Sequence, residues 1–193
     1  MVEWSIMRSR WTLLDSQRKF SDGLISVHHD RYRLQDNGRA NDFTVIRTSD
    51  WINVIPVTAA GDLVFIRQFR HGIREVTVEI PGGAVDRRDV DPRAAAEREL
   101  REETGYAAAS WDYLGYVTPN PALQSNRCHT YLATGAYRAG EPCPDPYERI
   151  EVVLVPASEA ARALRDGTVT HGLVLAAFGL FFAAGHSLAG RSG

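Results

Sequence analysis

The sequence predicts an α+β fold with an α/β/α layered arrangement and a β-rich N-terminal extension. Three observations support this prediction. Residues 11–70 form short β-rich runs separated by the turn signals SDG at 21–23 and DNG at 36–38. One clearly capped helix follows at 91–104, and two more helices close the chain. This order differs from the regular strand–helix alternation that builds a fully parallel sheet.

The strands are predicted where β-favouring residues lie between turn residues. Pro81-Gly82-Gly83 stops one of them abruptly, because neither residue type continues a strand well. In chain order, the predicted strands are Leu24–His28, Phe43–Arg47, Ile52–Val57, Leu63–Phe69, Thr77–Ile80, Trp111–Val117, Thr130–Thr134 and Ile150–Val155.

The first helix has clear signals at both of its ends. Asp91 is a favourable N-cap, Pro92 then occupies the first helical position, and Gly105 ends the helix. The two later helices are predicted at about 159–166 and about 169–184 from their apolar content.

Composition and charge limit the possible function classes. The 193 residues suit one domain, or one domain with a small appendage, and 44% of them are hydrophobic. A net charge of −2 provides no strong field for nucleic acid or an acidic membrane, so neither is an expected partner. The apolar run from Gly172 to Gly185 is shorter than the roughly 18 residues that span a bilayer. The N-terminus does not resemble a secretory signal, so we expect a cytoplasmic protein.

The two cysteines, Cys128 and Cys143, lie in no pattern typical of zinc ligands. Free thiols are the expectation for an intracellular protein, although the sequence alone leaves a disulfide open.

Three glutamates on the first helix are the main candidates for chemistry. Glu99, Glu102 and Glu103 are spaced i, i+3 and i+4, so their side chains share one face. Clustered carboxylates repel one another, and hard cations such as Mg²⁺ relieve the repulsion while leaving room for water and phosphate ligands. Arg98 precedes Glu102 by four residues and can pair with it. The alternative is a solvated acidic helix with an arginine partner.

Two upstream features favour the site over a plain acidic helix. The strand ending in Pro81-Gly82-Gly83 leaves bare backbone that a metal or phosphate can approach closely. On an earlier strand, Gln68 and Arg70 share one face, and the planar guanidinium of Arg70 is suited to holding a phosphate. An ordinary exposed arginine is the alternative for Arg70.

The segment 83–106 resembles the signature motif of the Nudix hydrolases, the Nudix box. Its helix half, Arg98 to Tyr106, matches fully except that Tyr106 takes an aliphatic place. The loop half departs from the motif, because Asp89 replaces a glutamate and one extra residue precedes Arg98. The resemblance implies a mixed sheet flanked by helices and a metal-dependent hydrolysis of a phosphoanhydride bond.

The resemblance also implies the site residues. Gln68-Phe69-Arg70 followed by Glu79-Ile80-Pro81-Gly82-Gly83 looks like the ADP-ribose pyrophosphatase branch of the family. It implies Mg²⁺, or Mn²⁺, on Glu99, Glu102, Glu103 and the Gly82 carbonyl group. It also implies a further acidic residue, acting as metal ligand or general base, in the loop before the last strand, for which Glu148 is the first candidate and Glu151 the second. The implied catalytic residues are Glu102, Glu103 and Glu148, and the implied substrate-binding residues are Arg70, Glu79, Asn126 and Arg127.

The likeness covers residues 45–184 and suggests a division of the chain. Residues 1–44 would form the β-rich extension, which in relatives builds a homodimer, and residues 45–193 the hydrolase domain. Trp4 and Trp11 are aromatic enough to stack on a base, with a core or interface role as the alternative.

The expected substrate is a small nucleoside diphosphate derivative. ADP-ribose, cleaved to AMP and ribose 5-phosphate, is the first candidate. The alternatives are another nucleotide sugar such as GDP-mannose, or a Nudix fold that binds a ligand without turnover. Near-neutral charge argues against a decapping activity on RNA.

Overall fold

The computed structural model describes residues 10–188, and within it the chain forms two compact units. The first contains the residues up to Ser49 together with Asn120–Asn126. The second contains Asp50–Pro119 and the chain from Arg127 onward. The sequence-based boundary after residue 44 stays a prediction, and Trp4 lies outside the described residues.

The first unit is a three-stranded antiparallel sheet with the order β1-β2-β3. Its strands are β1 (Trp11–Ser21), β2 (Ser26–Leu34) and β3 (Ala40–Arg47). The predicted turn between β1 and β2 forms because Asp22 accepts hydrogen bonds from the backbone N–H groups of Leu24 and Ile25, at 3.0 and 2.9 Å. Gly23 beside it has a φ of +97°, which a side chain would disfavour. The β-rich N-terminal region predicted from the sequence is therefore confirmed.

A buried carboxylate organises the middle of this sheet. Asp30 is 3% exposed and accepts hydrogen bonds from the Ser16 hydroxyl at 2.5 Å and from the Arg47 guanidinium at 3.0 Å. Burial raises the pKa of Asp30, but these hydrogen bonds outweigh it and hold the pKa below its usual value. The residues of β1, in contrast, are exposed along the whole strand.

The second unit contains an eight-stranded mixed sheet. Its strands are β4 (Trp51–Thr58), β5 (Leu63–Arg70), β6 (Glu75–Glu79), β7 (Gly82–Ala84), β8 (Tyr106–Ala107), β9 (Ser110–Val117), β10 (Cys128–Arg138) and β11 (Ile150–Val155). The central path is β11-β5-β4-β10-β8, while β6, β7 and β9 pair with β5, β4 and β10. The pairing of β4 with β10 is parallel and the others are antiparallel, which confirms the predicted mixed sheet.

Helices cover both faces of this sheet, which confirms the layered arrangement. On one face, Ile52 and Val54 pack with Leu100 of α1 (Pro92–Thr104). On the other face, Ile55 and Phe65 pack with α2 (Ala157–Arg165) and α3 (Gly172–Ala183). Alternate strand residues point to opposite faces, so β4 supplies both cores.

The helix ends largely follow the sequence signals. Asp91 accepts a hydrogen bond from the backbone N–H of Ala94 at 2.8 Å, and Gly105 ends α1 with a φ of +73°. The last helix begins at Gly172 rather than at about 169, because Val169 is instead buried in the α2–α3 core ahead of the helix. Among the described residues, no helix is long and apolar enough to cross a membrane. Both thiols are free, with Cys128 buried and Cys143 exposed.

Candidate active site

Two bare glycines bring the sheet and the carboxylate helix together. Gly82 and Gly83 of β7 pair with Asn53 and Ile52 of β4. A Cβ atom at Gly82 would lie 2.5 Å from the Ile52 carbonyl oxygen, and one at Gly83 would overlap the Glu99 carboxylate. Glycine at position 82 therefore allows β7 to lie close to β4, and glycine at position 83 leaves room for the Glu99 carboxylate beside this backbone.

Glu103 is the most deeply buried of the three glutamates. Glu103 is only 3% exposed. Its Oε2 accepts a hydrogen bond from the Gly82 N–H at 2.9 Å. Burial raises the pKa of Glu103 well above its usual value, and the nearby charges of Glu99 and Glu148 raise it further. The hydrogen bond from Gly82 offsets only part of this effect.

Arg98 holds the other two glutamates, as its spacing from Glu102 predicts. Its Nη1 donates to Glu99 at 2.8 Å and to Glu102 at 2.9 Å. Burial nevertheless raises the pKa of Glu99, and the charges of Glu102 and Glu148 add to the rise. Glu102 is the more exposed carboxylate, and Arg88 lies 3.6 Å from its Oε1.

Asp89, where the sequence departs from the Nudix box, is the main partner of Arg98. Its two oxygens accept from Nε and Nη2 of Arg98 at 3.0 and 2.8 Å, which is a two-point contact. These hydrogen bonds hold the pKa of Asp89 below its usual value despite burial. Arg98 also donates to the Ala84 carbonyl oxygen at 3.0 Å. The Arg98 guanidinium thus connects α1 with the lengthened loop that carries Asp89 and with Ala84 at the start of the motif.

The carboxylate cluster fits a hard divalent cation in its chemistry. Within residues 10–188, no three acidic, histidine or cysteine side chains are already arranged to coordinate a metal ion. Arg98 forms ion pairs with two of the three glutamates. The donor set is nevertheless three oxygen ligands on one helix face, of which Glu99 and Glu103 have raised pKa values from burial and mutual repulsion. A cation would relieve that repulsion, with the Gly82 carbonyl group as a further oxygen ligand.

Beside this cluster, Arg70 and Glu79 form a two-point ion pair. Nε and Nη2 of Arg70 donate to the two oxygens of Glu79 at 2.7 and 2.6 Å, and the Thr77 hydroxyl donates to Oε1 at 2.5 Å. Burial raises the pKa of Glu79, but the hydrogen bonds from Arg70 and Thr77 outweigh it and lower the pKa. The Arg70 side chain is still 39% exposed, so it remains accessible to a ligand.

A cavity of about 340 Å³ opens beside this ion pair. Arg70, Glu79, Gly82 and Gly83 line it together with residues from β4, β10 and the start of α3. The remaining lining residues are Trp51, Ile52, Asn53, Ile80, Ala84, Cys128, His171 and Leu173. A pocket of this size, with a few polar groups in an apolar wall, is typical of small-molecule sites.

The other predicted site residues differ in their relation to this cluster. Glu148 lies close enough for its charge to act on Glu99, Glu103 and Arg70. Arg127 is exposed, and its guanidinium lies 4.5 Å from the centre of the Tyr116 ring rather than in the cavity lining. Asn126 belongs to the first unit, where its amide is buried and bonds to no described residue. Glu151 pairs with Arg67 at 3.0 Å.

Sequence reasoning missed several residues of the cavity wall. It gave His171 no role in the site, yet the imidazole lines the cavity and makes no side-chain hydrogen bond that would cap α3. It also passed over Asn53, whose Nδ2 donates to the Leu173 carbonyl oxygen at 3.0 Å and fixes the start of α3. No local pattern marks either residue, because the fold joins positions that are far apart in the sequence, such as Asn53 and Leu173, which are 120 residues apart.

With this geometry in place, comparison with known proteins gives the class. The family model of the NUDIX domain matches residues 50–178, so the chain belongs to the Nudix family. Nudix hydrolases generally act with divalent metal ions.

Individual relatives agree with the enzyme class. The chain is 30% identical over 151 residues to an ADP-ribose pyrophosphatase of Bacillus subtilis, covering 78% of this chain and 80% of the relative. It is 42% identical over 98 residues to a CMP-5'-(N-acetyl-N-hydroxy-3-aminopropyl)phosphonate hydrolase of Streptomyces rubellomurinus, covering 50% of this chain and 47% of the relative. A crystal structure of an ADP compounds hydrolase superposes with a TM-score of 0.79 at 21% identity, covering 93% of this chain and 96% of the other. The protein is therefore a Nudix hydrolase similar to ADP-ribose pyrophosphatases.

Proposed function

We propose that this enzyme hydrolyses the pyrophosphate bond of ADP-ribose, or of a close ADP-sugar, to AMP and the sugar phosphate. The proposal rests on one observation, that the carboxylate cluster and an arginine-lined cavity lie on either side of the same glycine backbone. Buried carboxylates meet the bare Gly82–Gly83 backbone on one side, and the Arg70–Glu79 pair lines a cavity on the other. Such a site can hold two phosphate groups between a cation site and a guanidinium.

The roles of the residues follow from this arrangement. Mg²⁺ or Mn²⁺ on Glu99, Glu102, Glu103 and the Gly82 carbonyl group would neutralise the diphosphate and lower the pKa of a water. Arg70 uses two of its nitrogens on Glu79, which leaves Nη1 to donate to a phosphate oxygen. Glu79, buried and ionised, orients that guanidinium.

Proton transfer is assigned to Glu148 in this proposal. Its carboxylate is half-buried and acts electrostatically on Glu99 and Glu103, so it lies near the acids that would surround the attacking water. It would accept the proton as the water oxygen attacks phosphorus and the bond to the bridging oxygen breaks. Arg127 and Asn126 remain proposed contacts to the sugar or phosphate.

A second candidate is a cytidine-linked substrate. The local likeness to the CMP-phosphonate hydrolase, at 42% identity over half of the chain, is the observation that favours it. A GDP-linked sugar such as GDP-mannose is a further substrate of the same class. A binding protein without turnover has less need of three clustered glutamates, so we favour catalysis.

A substrate panel tests these alternatives. ADP-ribose, GDP-mannose, a CMP-linked phosphonate and nucleoside triphosphates would each be incubated with Mg²⁺ and the products separated by chromatography. We expect ADP-ribose to have the highest kcat/KM, with AMP and ribose 5-phosphate as products. A nucleoside triphosphate preferred by about tenfold or more would reject the proposal, since tenfold is about 1.4 kcal/mol of transition-state preference.

A further inference from the structure

The segment 139–149 joins β10 to β11 and carries Glu148, the proposed proton acceptor. In the middle of this segment, the backbone N–H of Cys143 donates to the Glu102 carbonyl oxygen at 2.8 Å. Glu102 lies in the last turn of α1, where carbonyl groups have no partner within the helix. The segment is therefore attached to the helix that carries the three glutamates.

Gly105, directly after α1, provides a second attachment. Its carbonyl oxygen accepts hydrogen bonds from the N–H groups of Ala139 and Gly140, at 2.8 and 3.1 Å. A Cβ atom at Gly105 would overlap the Gly140 carbonyl oxygen and lie 3.1 Å from the Pro142 nitrogen. The φ of Gly105 is +73°, which glycine adopts more readily than other residues. Glycine at the end of α1 therefore lets the segment pack closely against the helix.

The sequence makes the middle of this segment stiff. Residues 141–146 are Glu-Pro-Cys-Pro-Asp-Pro, so each of them is a proline or directly precedes one. Proline fixes its own φ, and its ring restricts the preceding residue to extended conformations. Such a chain behaves as a semi-rigid spacer rather than as a flexible loop. Its attachments to α1 therefore determine where the rest of the segment lies.

The far end of the segment brings Glu148 to the carboxylate cluster. Strand β11 begins with Ile150, which pairs with Gln68 of β5, so the antiparallel register directs Glu148 towards Arg70. The electrostatics agree with this placement. Burial is the main cause of the raised pKa of Glu99, and the charge of Glu148 adds to the rise. One end of α1 and one end of β11 thus fix the two ends of the segment.

We propose that the Cys143 N–H and the glycine at position 105 are positioning groups, which hold Glu148 at the separation from the α1 glutamates that proton transfer requires. The inference rests on the role given to Glu148 in the proposed function and deepens it, because it names what holds that side chain in place. Neither group contacts the reacting atoms, and each acts through Glu148. Accurate placement matters because a shift of about 1 Å in a catalytic group can cost about a hundredfold in rate.

A double-mutant cycle in kcat tests this role, with whichever compound of the substrate panel is cleaved best. Cys143→Pro removes the N–H that donates to Glu102, and we expect kcat to fall about tenfold. Glu148→Gln should lower kcat about a hundredfold, as loss of a proton acceptor does. In the Glu148→Gln background, Cys143→Pro should cause less than about a twofold further loss, because its effect passes through the missing carboxylate.

Two further variants separate positioning from general damage to the fold. Cys143→Ser keeps the N–H group and should have the kcat and Tm of the wild type. Pro144→Gly keeps the hydrogen bond but loosens the segment, and we expect kcat to fall about threefold from the added backbone freedom. This loss should also disappear in the Glu148→Gln background. If Cys143→Pro does not fold, the cycle with Pro144→Gly decides in the same way.

The outcomes distinguish this inference from the proposed function. Wild-type kcat in both Cys143→Pro and Pro144→Gly, or losses that multiply with that of Glu148→Gln, would overturn the positioning role. Losses that multiply would show that the segment acts through α1 rather than through Glu148. Wild-type kcat in Glu148→Gln would instead reject its role in proton transfer, and the inference with it. A preference for another substrate affects neither result, since the panel selects the substrate for the cycle.

Discussion

The backbone N–H of Gly82 donates to Oε2 of Glu103 at 2.9 Å and joins strand β7 to the carboxylate helix α1. This single bond holds a carboxylate that is almost fully buried and whose pKa is raised by that burial. The ionised form of Glu103 is therefore unfavourable in the folded protein without a cation. The ionised carboxylate that would bind a cation is thus the form that destabilises the folded protein when no cation is bound.

Glu103→Gln should abolish most of the activity without harming the fold. Loss of a metal ligand should lower kcat/KM by about a hundredfold or more with the preferred substrate. Because the folded-state pKa of Glu103 is raised, its charge costs stability once the pH exceeds the usual glutamate value, and glutamine removes that cost. We expect the metal-free Tm at neutral pH to be unchanged or higher, measured by thermal unfolding in a chelator.

The control for this prediction is Glu97→Gln on the same helix. Glu97 is exposed and pairs with Arg93 at 3.0 Å, so this substitution should change neither kcat/KM nor the effect of Mg²⁺ on Tm. Glu102→Gln should also lose activity, but with little change in metal-free Tm, because Glu102 is partly exposed. Turnover near the wild-type rate in Glu102→Gln or Glu103→Gln would exclude that residue as a metal ligand.

Gly83→Ala should inactivate the enzyme through Glu99. A Cβ atom at position 83 would overlap the Glu99 carboxylate, so that side chain must move away from the site. We expect kcat to fall by about tenfold to a hundredfold, with Mg²⁺ required at higher concentration. The comparison is Gly140→Ala, where an added Cβ meets no atom within 4 Å. Equal activities for the two variants would show that activity does not require the Glu99 carboxylate to stay beside Gly83.

Local patterns predicted the parts of the site that lie close together in sequence. The helical spacing of Glu99, Glu102 and Glu103, and the partnership of Arg98 with Glu102, follow from the 3.6-residue repeat. The role of Asp89 could not be predicted in the same way, because its contact with Arg98 depends on the path of the loop 85–91 between β7 and α1. His171 was beyond sequence reasoning, since only the packed sheet brings α3 to Glu79.

The division of the chain into two compact units could likewise be predicted only in part. Turn signals and β-rich runs predicted the N-terminal strands, although the sequence did not mark β1 as a separate strand of eleven residues. They gave no sign that the loop 120–126 joins those strands in one compact unit. That association depends on contacts such as the Ile46 N–H bond to the Leu123 carbonyl oxygen, at 2.7 Å, which no local pattern encodes.

Arg70→Ala should weaken both substrate binding and the fold. A phosphate contact stabilises the ground and transition states, so KM should rise and kcat should fall. The substitution also leaves Glu79 buried without its partner. We expect a loss of about 2 kcal/mol in the free energy of unfolding at neutral pH, reduced from larger values for fully buried pairs because Arg70 is partly exposed. Urea unfolding would measure this loss.

The same pair gives the protein an acid-sensitive contribution to stability. The pKa of Glu79 is lowered from its ordinary value of 4.5, so its contribution is fully present above that value and is lost as the pH falls below it. Arg70→Ala removes the main cause of the lowered pKa. The stability difference between wild type and Arg70→Ala should therefore shrink as the pH falls from neutral to below 4.5. A difference that is constant across this range would contradict the assignment.

The N-terminal sheet should form the interface of a homodimer. Its strand β1 is exposed along its length, including Leu13 at 48% and Phe20 at 54%. An open strand with apolar side chains tends to pair with another chain. Light scattering at micromolar concentration should therefore give about twice the 21.4 kDa of one chain.

The paired substitutions Leu13→Glu and Phe20→Glu should shift the mass towards 21.4 kDa, and removal of residues 1–40 should give a poorly soluble or inactive chain. Gln17→Glu, which adds a charge at an exposed polar position of β1, is the control and should stay dimeric. A wild-type mass near 21.4 kDa would reject the dimer outright.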